Sequence, residues 1–545
     1  MSELPWMGLG ISSNLDSRAV PHPYRLLEEH PSLFDYVEYS APLSLAEARR
    51  DASLFSELWN QRSKVPVLFH PVHLNLYGPT LESADALRDL AEHLSQVGSP
   101  WVSNDVAWWH QAGQPFPAYF YLPPPFDRRG LDDCTAHALH VQASIPVPLL
   151  LENPAVIACR GDMHVLDFMA ELHLRTGSDL LLDIGHLFSY QLTRGIPISS
   201  GLDGFPLESV VEIHIAGGLV SSRGQRRYYV DDHAQPVRNE LLDMLEMLIP
   251  LCPRLRAVTF EADGQAAEVA VSLFRRLRPL IPRRRQDEAS VQVVVERHQP
   301  LGSPSAEPWD VFDRAYGRLA EPVDPTGAAA ELDFRLAVIA FEVDQRWPLS
   351  RLLHAGRREE LSLFAASSEF RSIFEGPGKD LNRAFSAFAR RRLRDAPDDG
   401  AAAVLAFETW LNETPSPPPA VPKPGCIALA NGVAVRTFPI DLSELQFAAS
   451  SVKKHLLRRA WATGIVEDGA LESLRQVARR APSRPWTVAT RHRGRTVEVI
   501  NLTDELIEVL GVASGEGRRA EIGPTDRRAA AAREALRLGL ITPTD

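Results

Sequence analysis

Short apolar runs that end on polar or ionisable residues recur along the first 285 positions, separated by longer stretches with helical spacing. Met7 to Ser13 runs into Asn14, Phe34 to Tyr39 carries Glu38, Val65 to Leu74 contains His70 and His73, and Pro100 to Val106 contains Asn104 and Asp105. VPLLLENP stops on Glu152, Asn153 and Pro154, and Leu180 to Leu182 stops on Asp183, with His186 three residues on. Val210 to Ala216 carries Glu212 and His214, and Leu255 to Phe260 ends on Glu261. A run such as LLL reads as a strand buried on both faces, which parallel sheets covered by helices require. Between the runs lie HPYRLLEEH, Leu81 to Gln96 with apolar Leu87, Leu90, Ala91 and Leu94, and further helical stretches at Asp132 to Ala143, Met163 to Thr176 and Ala266 to Arg278. Strand candidates alternating with helices at this length and rhythm predict an α/β fold, a (β/α)8 TIM barrel over residues 1–285. The polar strand ends then meet at one mouth, the carboxyl side of the sheet, where ligands bind in such folds.

The pattern changes after Arg285. Residues 300–412 are rich in Ala, Leu, Arg and Glu, and stretches such as ELDFRLAVIAFEVDQRW and LNRAFSAFARRRLRD predict a helical domain. Glu413 to Gly425, ETPSPPPAVPKPG, predicts a stiff proline-rich linker. Within 426–545, IALANGVAVRTFPI predicts a hairpin turning at Asn431-Gly432. SVKKHLLRRAWATG and ALESLRQVARRA follow as helices, TVEVINL as a strand and AAAREALRLGLI as a closing helix, an arrangement similar to a winged-helix α+β module. Its Lys453, Lys454, Arg458 and Arg459 read equally as a solvated helix face or as a binding surface.

At 545 residues the chain exceeds one ordinary core, in line with that division. A formal net charge of -12 argues against a nucleic-acid partner, so peptide or protein recognition is the preferred reading of the C-terminal module. Cys134, Cys159, Cys252 and Cys426 lie far apart with no CxxC pair, which gives neither a zinc ribbon nor a disulfide framework. The N-terminus MSELPWMGLG lacks a basic region followed by an apolar one, and no apolar run is long enough to span a bilayer. These features predict a cytoplasmic protein with no membrane partner.

Candidate chemistry rests on the strand ends. His70, Glu152, Asp183, His186, His214, Asp231, His233 and Glu261 are expected to converge on the barrel mouth. Singly each has a plain explanation: Glu152 before Asn-Pro caps a turn, and Asp231 and His233 sit in the polar loop YYVDDHAQP. Together, carboxylates sharing a pocket would repel and take up protons unless a cation compensated them. A mixed imidazole and carboxylate set without thiolate suits iron, manganese or zinc, and its size exceeds what one mononuclear site uses.

The ordered motifs FHPVHLNLYG, SNDVAWW, YLPPPF, LLLENP, LLLDIGHL, EIHIAGG, YYVDDHAQPV and TFEADG resemble the DUF692 family, the multinuclear non-haem iron-dependent oxidative enzymes, over roughly residues 1–285. The resemblance implies a barrel holding two or three iron ions that uses dioxygen to modify a side chain, often cysteine, of a ribosomally made precursor peptide, commonly with a partner protein or domain that presents it. By motif, His70, Glu152, Asp183, His186, His214, Asp231, His233 and Glu261 match family ligand positions, with Glu152, Asp183 and His214 at the catalytic core and Glu38 as a further polar residue near the mouth. Two positions depart: Asp105 stands where the family usually has His and can still bind a hard cation, and Gly218 stands where it often has His and offers no side chain. The alternatives are a zinc- or manganese-dependent isomerase or phosphodiesterase on a related barrel, or a non-catalytic scaffold with a decayed site.

Overall fold

The computed structural model describes residues 2–13, 20–49, 52–116, 121–223, 225–281, 292–293, 304, 309–375, 380–413, 427–430, 433–444, 468–493, 496–513 and 527–543. Asn14, Cys426, the linker at 414–425, the Asn431-Gly432 turn and the helix bearing Lys453, Lys454, Arg458 and Arg459 lie outside the described residues. The chain divides into two compact units, Met1–Arg335 with Phe374–Gly376, and Leu336–Ile373 with Pro377–Asp545.

Unit one is built on a closed parallel barrel of eight strands. They are β1 (Gly8–Ser13), β2 (Tyr36–Ala41), β3 (Val67–Pro71), β4 (Val102–Asp105), β5 (Leu149–Glu152), β6 (Asp179–Asp183), β7 (Val210–Ala216) and β8 (Ala257–Glu261). Each pairs with the next, and β8 closes on β1. The helices following them in turn are α1 (Pro23–Glu29), α2 (Ala52–Gln61), α3 (Ala84–Val97), α4 (Arg128–Ser144), α5 (Val165–Thr176), α6 (Ile184–Arg194), α7 (Asn239–Leu248) and α8 (Ala267–Leu277). Between β7 and α7 the chain makes an antiparallel hairpin of Gly218–Arg223 and Arg226–Asp231.

The barrel interior is layered, because residues two apart on a strand share a face. Its floor is a buried cluster including Tyr36, Leu68, Trp101, Leu150, Leu181 and Ala257. Tyr36 fits there because Gly10 opposite has no side chain; a Cβ would lie 2.2 Å from the ring. Two residues further along the same strands stand Glu38, His70, Ser103, Glu152, Asp183 and Thr259. The apolar floor thus passes directly into polar side chains.

The segment after the barrel belongs partly to it. α9 (Trp309–Ala315) sets Trp309 edge-on to Trp108, centroids 5.4 Å apart, and Phe312 against Phe116 at 5.9 Å. α10 (Pro325–Asp344) begins in unit one. Arg160, in the loop after β5, is buried between Glu321 at 3.2 Å and Glu331, and Arg335 binds Glu331 at 2.6 Å and the Tyr121 carbonyl at 3.1 Å. Residues 309–335 are therefore fastened to the loops following β4 and β5. Arg160→Met leaves Glu321 and Glu331 short of a buried partner and is expected to cost about 3–5 kcal/mol. Urea unfolding followed by fluorescence of the Trp108–Trp309 pair measures it, and a midpoint unchanged from wild type would count against the network.

Unit two contains the helices α11 (Pro348–Ala355), α12 (Arg358–Ala365), α13 (Leu381–Asp395), α14 (Asp399–Glu413), α15 (Asp468–Arg480), α16 (Asp504–Ala513) and α17 (Arg527–Arg537). A three-stranded antiparallel sheet joins β9 (Val433–Phe438), β10 (Trp486–Arg493) and β11 (Thr496–Asn501). Phe438, Trp486 and Val488 pack in one core with Leu352, Phe407 and Leu474, whereas Val433 and Ala489 pack in another with Leu506, Leu510 and Ala535. The strands flanking Asn431-Gly432 do not pair with each other as a hairpin ladder, although the Val433 N–H donates to the Ala430 carbonyl at 3.1 Å. Ile427–Leu429 pairs instead with Ile541–Pro543, and β9 pairs with β10, because burial of Leu540 and Ile541 in the second core draws the two strands to separate partners. Among the described residues no helix is long and apolar enough to cross a membrane, and Cys134, Cys159 and Cys252 are buried and free.

Candidate metal centre

The carboxyl ends of the barrel strands bring the sequence-predicted residues together. His214, wholly buried on β7, has Nε2 3.0 Å from Glu38 of β2 and 3.5 Å from Glu212. Its Nδ1 lies 3.6 Å from both Glu152 of β5 and Glu261 of β8. Glu212 in turn accepts from Trp101 Nε1 and from the Thr259 hydroxyl, both at 2.8 Å. This polar layer, with the Tyr36 hydroxyl 2.7 Å from Thr259, fixes the imidazole above the apolar floor. His70 of β3 has Nδ1 3.2 Å from the Ser103 hydroxyl and Nε2 3.9 Å from Glu152.

Asp183 ends β6 and is the N-cap of α6, its Oδ1 accepting from the His186 N–H at 2.5 Å. Asp is a favoured cap because it satisfies an otherwise orphaned helix donor. His186 is thus not part of the strand end but of the first helical turn. That turn swings its ring toward β4 and the hairpin: Nδ1 is 2.9 Å from the Asn153 carbonyl and 3.4 Å from Asp105, and Nε2 is 3.3 Å from Asp231. The Asn153 side chain also bonds the Asp183 backbone twice, its Nδ2 donating to the carbonyl at 2.9 Å and its Oδ1 accepting from the N–H at 3.0 Å, which ties the β5 and β6 ends together. His233 lies further out, 2.8 Å from Asp231, 3.6 Å from Glu261 and 3.7 Å from Asp263.

Four groups of three have donor atoms all within 4.8 Å of one another: Glu38, His70 and His214; His70, Asp105 and Glu152; Glu152, Asp183 and His186; Asp183, His214 and Glu261. Glu152, Asp183, His70 and His214 each occur in two groups, so neighbouring sites share walls. Asp231 and His233 fall in none of them and stand on the rim. Glu38 lies 3.0 Å from His214, and Glu212 stands 3.5 Å from the same ring nitrogen. The sequence signal for Glu212 is its spacing, since two residues before His214 on one strand means the same face.

The electrostatics show a site too acidic for its burial. Burial pushes the Glu38 and Asp105 carboxyls up to about 7 and Asp183 to about 6, and raises Glu152 well above the usual range. Burial opposes charge on His186, His214 and His233, yet the facing carboxylates outweigh it and hold them well above an ordinary histidine. For Asp231 and Glu261 burial is likewise outweighed, by His233 above all, and they stay below the carboxylate range. Burial and the neighbouring His214 lower His70 to about 4, so it is neutral and able to donate its lone pair.

Whether the residues fit a cation is answered by their unused atoms. Glu38 Oε1, Asp105 Oδ1, Glu152 Oε2, Asp183 Oδ2, Asp231 Oδ1, Glu261 Oε2 and His214 Nδ1 are buried with no hydrogen-bond partner among the described residues. Buried polar atoms are rarely left so, and an ion is one of the few partners that would serve this many at once. The hard oxygen and imidazole donors suit iron, manganese or zinc.

Residues 16–275 match the profile of a family described as RiPP precursor modification enzyme MbnB/TglH/ChrH. A UPF0276 protein of Streptomyces avermitilis is 32% identical over 227 residues, 39% of this chain and 46% of that protein. Another from Paraburkholderia phytofirmans is 30% identical over 234 residues, 39% of this chain and 75% of that protein. Among solved structures, endonuclease IV from Thermus thermophilus aligns over 49% of this chain and 98% of its own, with 19% identity and a TM-score of 0.32. Since the profile match takes in all seven strands that carry the donors, and the Paraburkholderia relative is covered over most of its length, the chain belongs to the MbnB/TglH/ChrH family of RiPP precursor modification enzymes.

Proposed function

We propose that this enzyme is a multinuclear iron-dependent oxidase that uses dioxygen to modify a side chain of a ribosomally synthesised precursor peptide, with cysteine the first candidate. The observation that carries the reading is the set of buried, partnerless carboxylate oxygens on adjoining strand ends, in a chain of this family. Bound iron supplies the one-electron and dioxygen chemistry that side chains lack. The chain's own residues hold and shield the ions. Glu152 and Asp183, each in two donor groups, would hold ions of both; Glu38, His70 and His214 would serve one flank, and Asp105, His186, Asp231, His233 and Glu261 the side toward the mouth.

In the same reading, the barrel of residues 1–285 is catalytic, and the C-terminal region at 426–545 recognises the peptide or a partner protein. Elemental analysis of protein purified without oxygen is expected to find more iron than one ion per chain. Zinc alone, or no metal, would overturn the proposal.

A further inference from the structure

The hairpin that leaves β7 pairs Gly218 with Asp231 and Val220 with Tyr229. Residues two apart share a face, so Tyr229 stands beside Asp231 and diagonal to Gly218. Gly218 has no side chain, and the Tyr229 ring occupies its place: a Cβ there would lie 2.1 Å from Tyr229 Cζ and 2.2 Å from its hydroxyl. Phe188 backs the ring edge-on at 5.1 Å.

The hydroxyl is the unexplained part. Tyr229 is 1% exposed, and its hydroxyl has no hydrogen-bond partner among the described residues. Burying a phenol unsatisfied is costly, and phenylalanine would fill the same space without that cost. The neighbourhood points to what the oxygen serves. A Cβ on Gly185, at the start of α6, would meet Asp183 Oδ1 at 3.2 Å, Asp231 Oδ1 at 3.5 Å and Tyr229 Cε1 at 3.8 Å, so ring and carboxylates converge on one spot. Asp231 Oδ1 at that spot has no hydrogen-bond partner among the described residues, and on Asp183, whose Oδ1 caps α6, the other oxygen, Oδ2, has none.

We propose that Tyr229 is an oxygen donor to the ion held beside Asp183 and Asp231, on the side of the centre where Gly218 offers no side chain. This rests on the iron reading above. A phenolate is a hard anionic ligand matched to ferric iron; as the iron–oxygen bond forms, the phenolic proton leaves to water and the iron keeps its oxidation state. The rival phenol is Tyr121, whose hydroxyl accepts the Ala155 N–H at 2.8 Å and is thereby already partnered.

The test uses the full chain loaded with ferric iron, with iron per chain measured in every sample. Phenolate bound to ferric iron gives a visible charge-transfer band and tyrosinate modes in the resonance Raman spectrum. Wild type and Tyr121→Phe are expected to show both, and Tyr229→Phe to lose both while keeping its fold by circular dichroism. A band that survives Tyr229→Phe, or that disappears in Tyr121→Phe, overturns the proposal. Iron-loaded wild type with no tyrosinate modes overturns it while leaving the iron reading standing, and wild type that takes up no iron overturns both. Because the wild-type and Tyr121→Phe spectra suffice to exclude Tyr229, the outcome does not depend on Tyr229→Phe folding.

Discussion

Asp183→Ala is expected to strip the centre of metal while the barrel stays folded. Asp183 belongs to two donor groups, and its Oδ2 has no hydrogen-bond partner among the described residues, so its removal takes a wall from both sites at once. Outer-shell changes alone weaken metal binding by roughly 10–100-fold, and loss of a residue facing the ion should exceed that. The structural cost is smaller, because losing an N-cap costs about 0.5–2 kcal/mol. Metal analysis beside a thermal melt separates the effects, and Asp183→Asn sharpens the separation by keeping a capping side chain while removing the charge. Wild-type metal content in Asp183→Ala would refute the assignment of this residue as a ligand.

The metal-free protein is expected to lose stability as pH rises from about 4, where unfolded carboxylates release their protons, through about 7, with the raised histidines extending the loss beyond, and the metal-loaded protein to lose much less. Glu38 and Asp105 are pushed up to about 7 by burial, so the folded chain still holds protons that the unfolded chain, with ordinary carboxylates, has already released. His186, His214 and His233, raised by the facing carboxylates against their burial, act in the same direction. With more protons bound in the folded state, stability is present below the unfolded values and falls as pH climbs through the folded ones. A bound cation replaces those protons. It should add about 4 kcal/mol when free metal is a thousand times its dissociation constant. The measurement is the difference in melting temperature between chelated and metal-loaded protein from pH 6 to 8. A difference that shrinks with pH would show that the carboxylate cluster is not where the metal acts.

Much of the site is readable from local pattern, and the reason is the two-residue period of a strand. Leu68 and His70, Leu150 and Glu152, and Leu181 and Asp183 are pairs in which the first residue builds the floor and the second faces the mouth. The same rule applies to Glu212 and His214, yet an acidic residue inside an apolar run carries no mark of function until Trp101 and Thr259 are seen to hold it. Outside the barrel, the turn signal at Asn431-Gly432 does not tell which strands pair, because the flanking strands in unit two take partners at long separations, where core burial places them.

What the sequence by itself determined is the set of strands, their order and the donors at their ends, since burial on both faces and termination by polar residues are properties of short segments. Only the tertiary structure decided which donors share a cavity: barrel closure sets β2 of Glu38 across from β7 of His214, over 170 residues away in the chain. It also decided that His186 arrives from a helical turn capped by Asp183, that residues 309–335 pack with the barrel, and that Tyr229 fills the space beside Gly218. Those outcomes depend on distances between elements, which no local periodicity encodes.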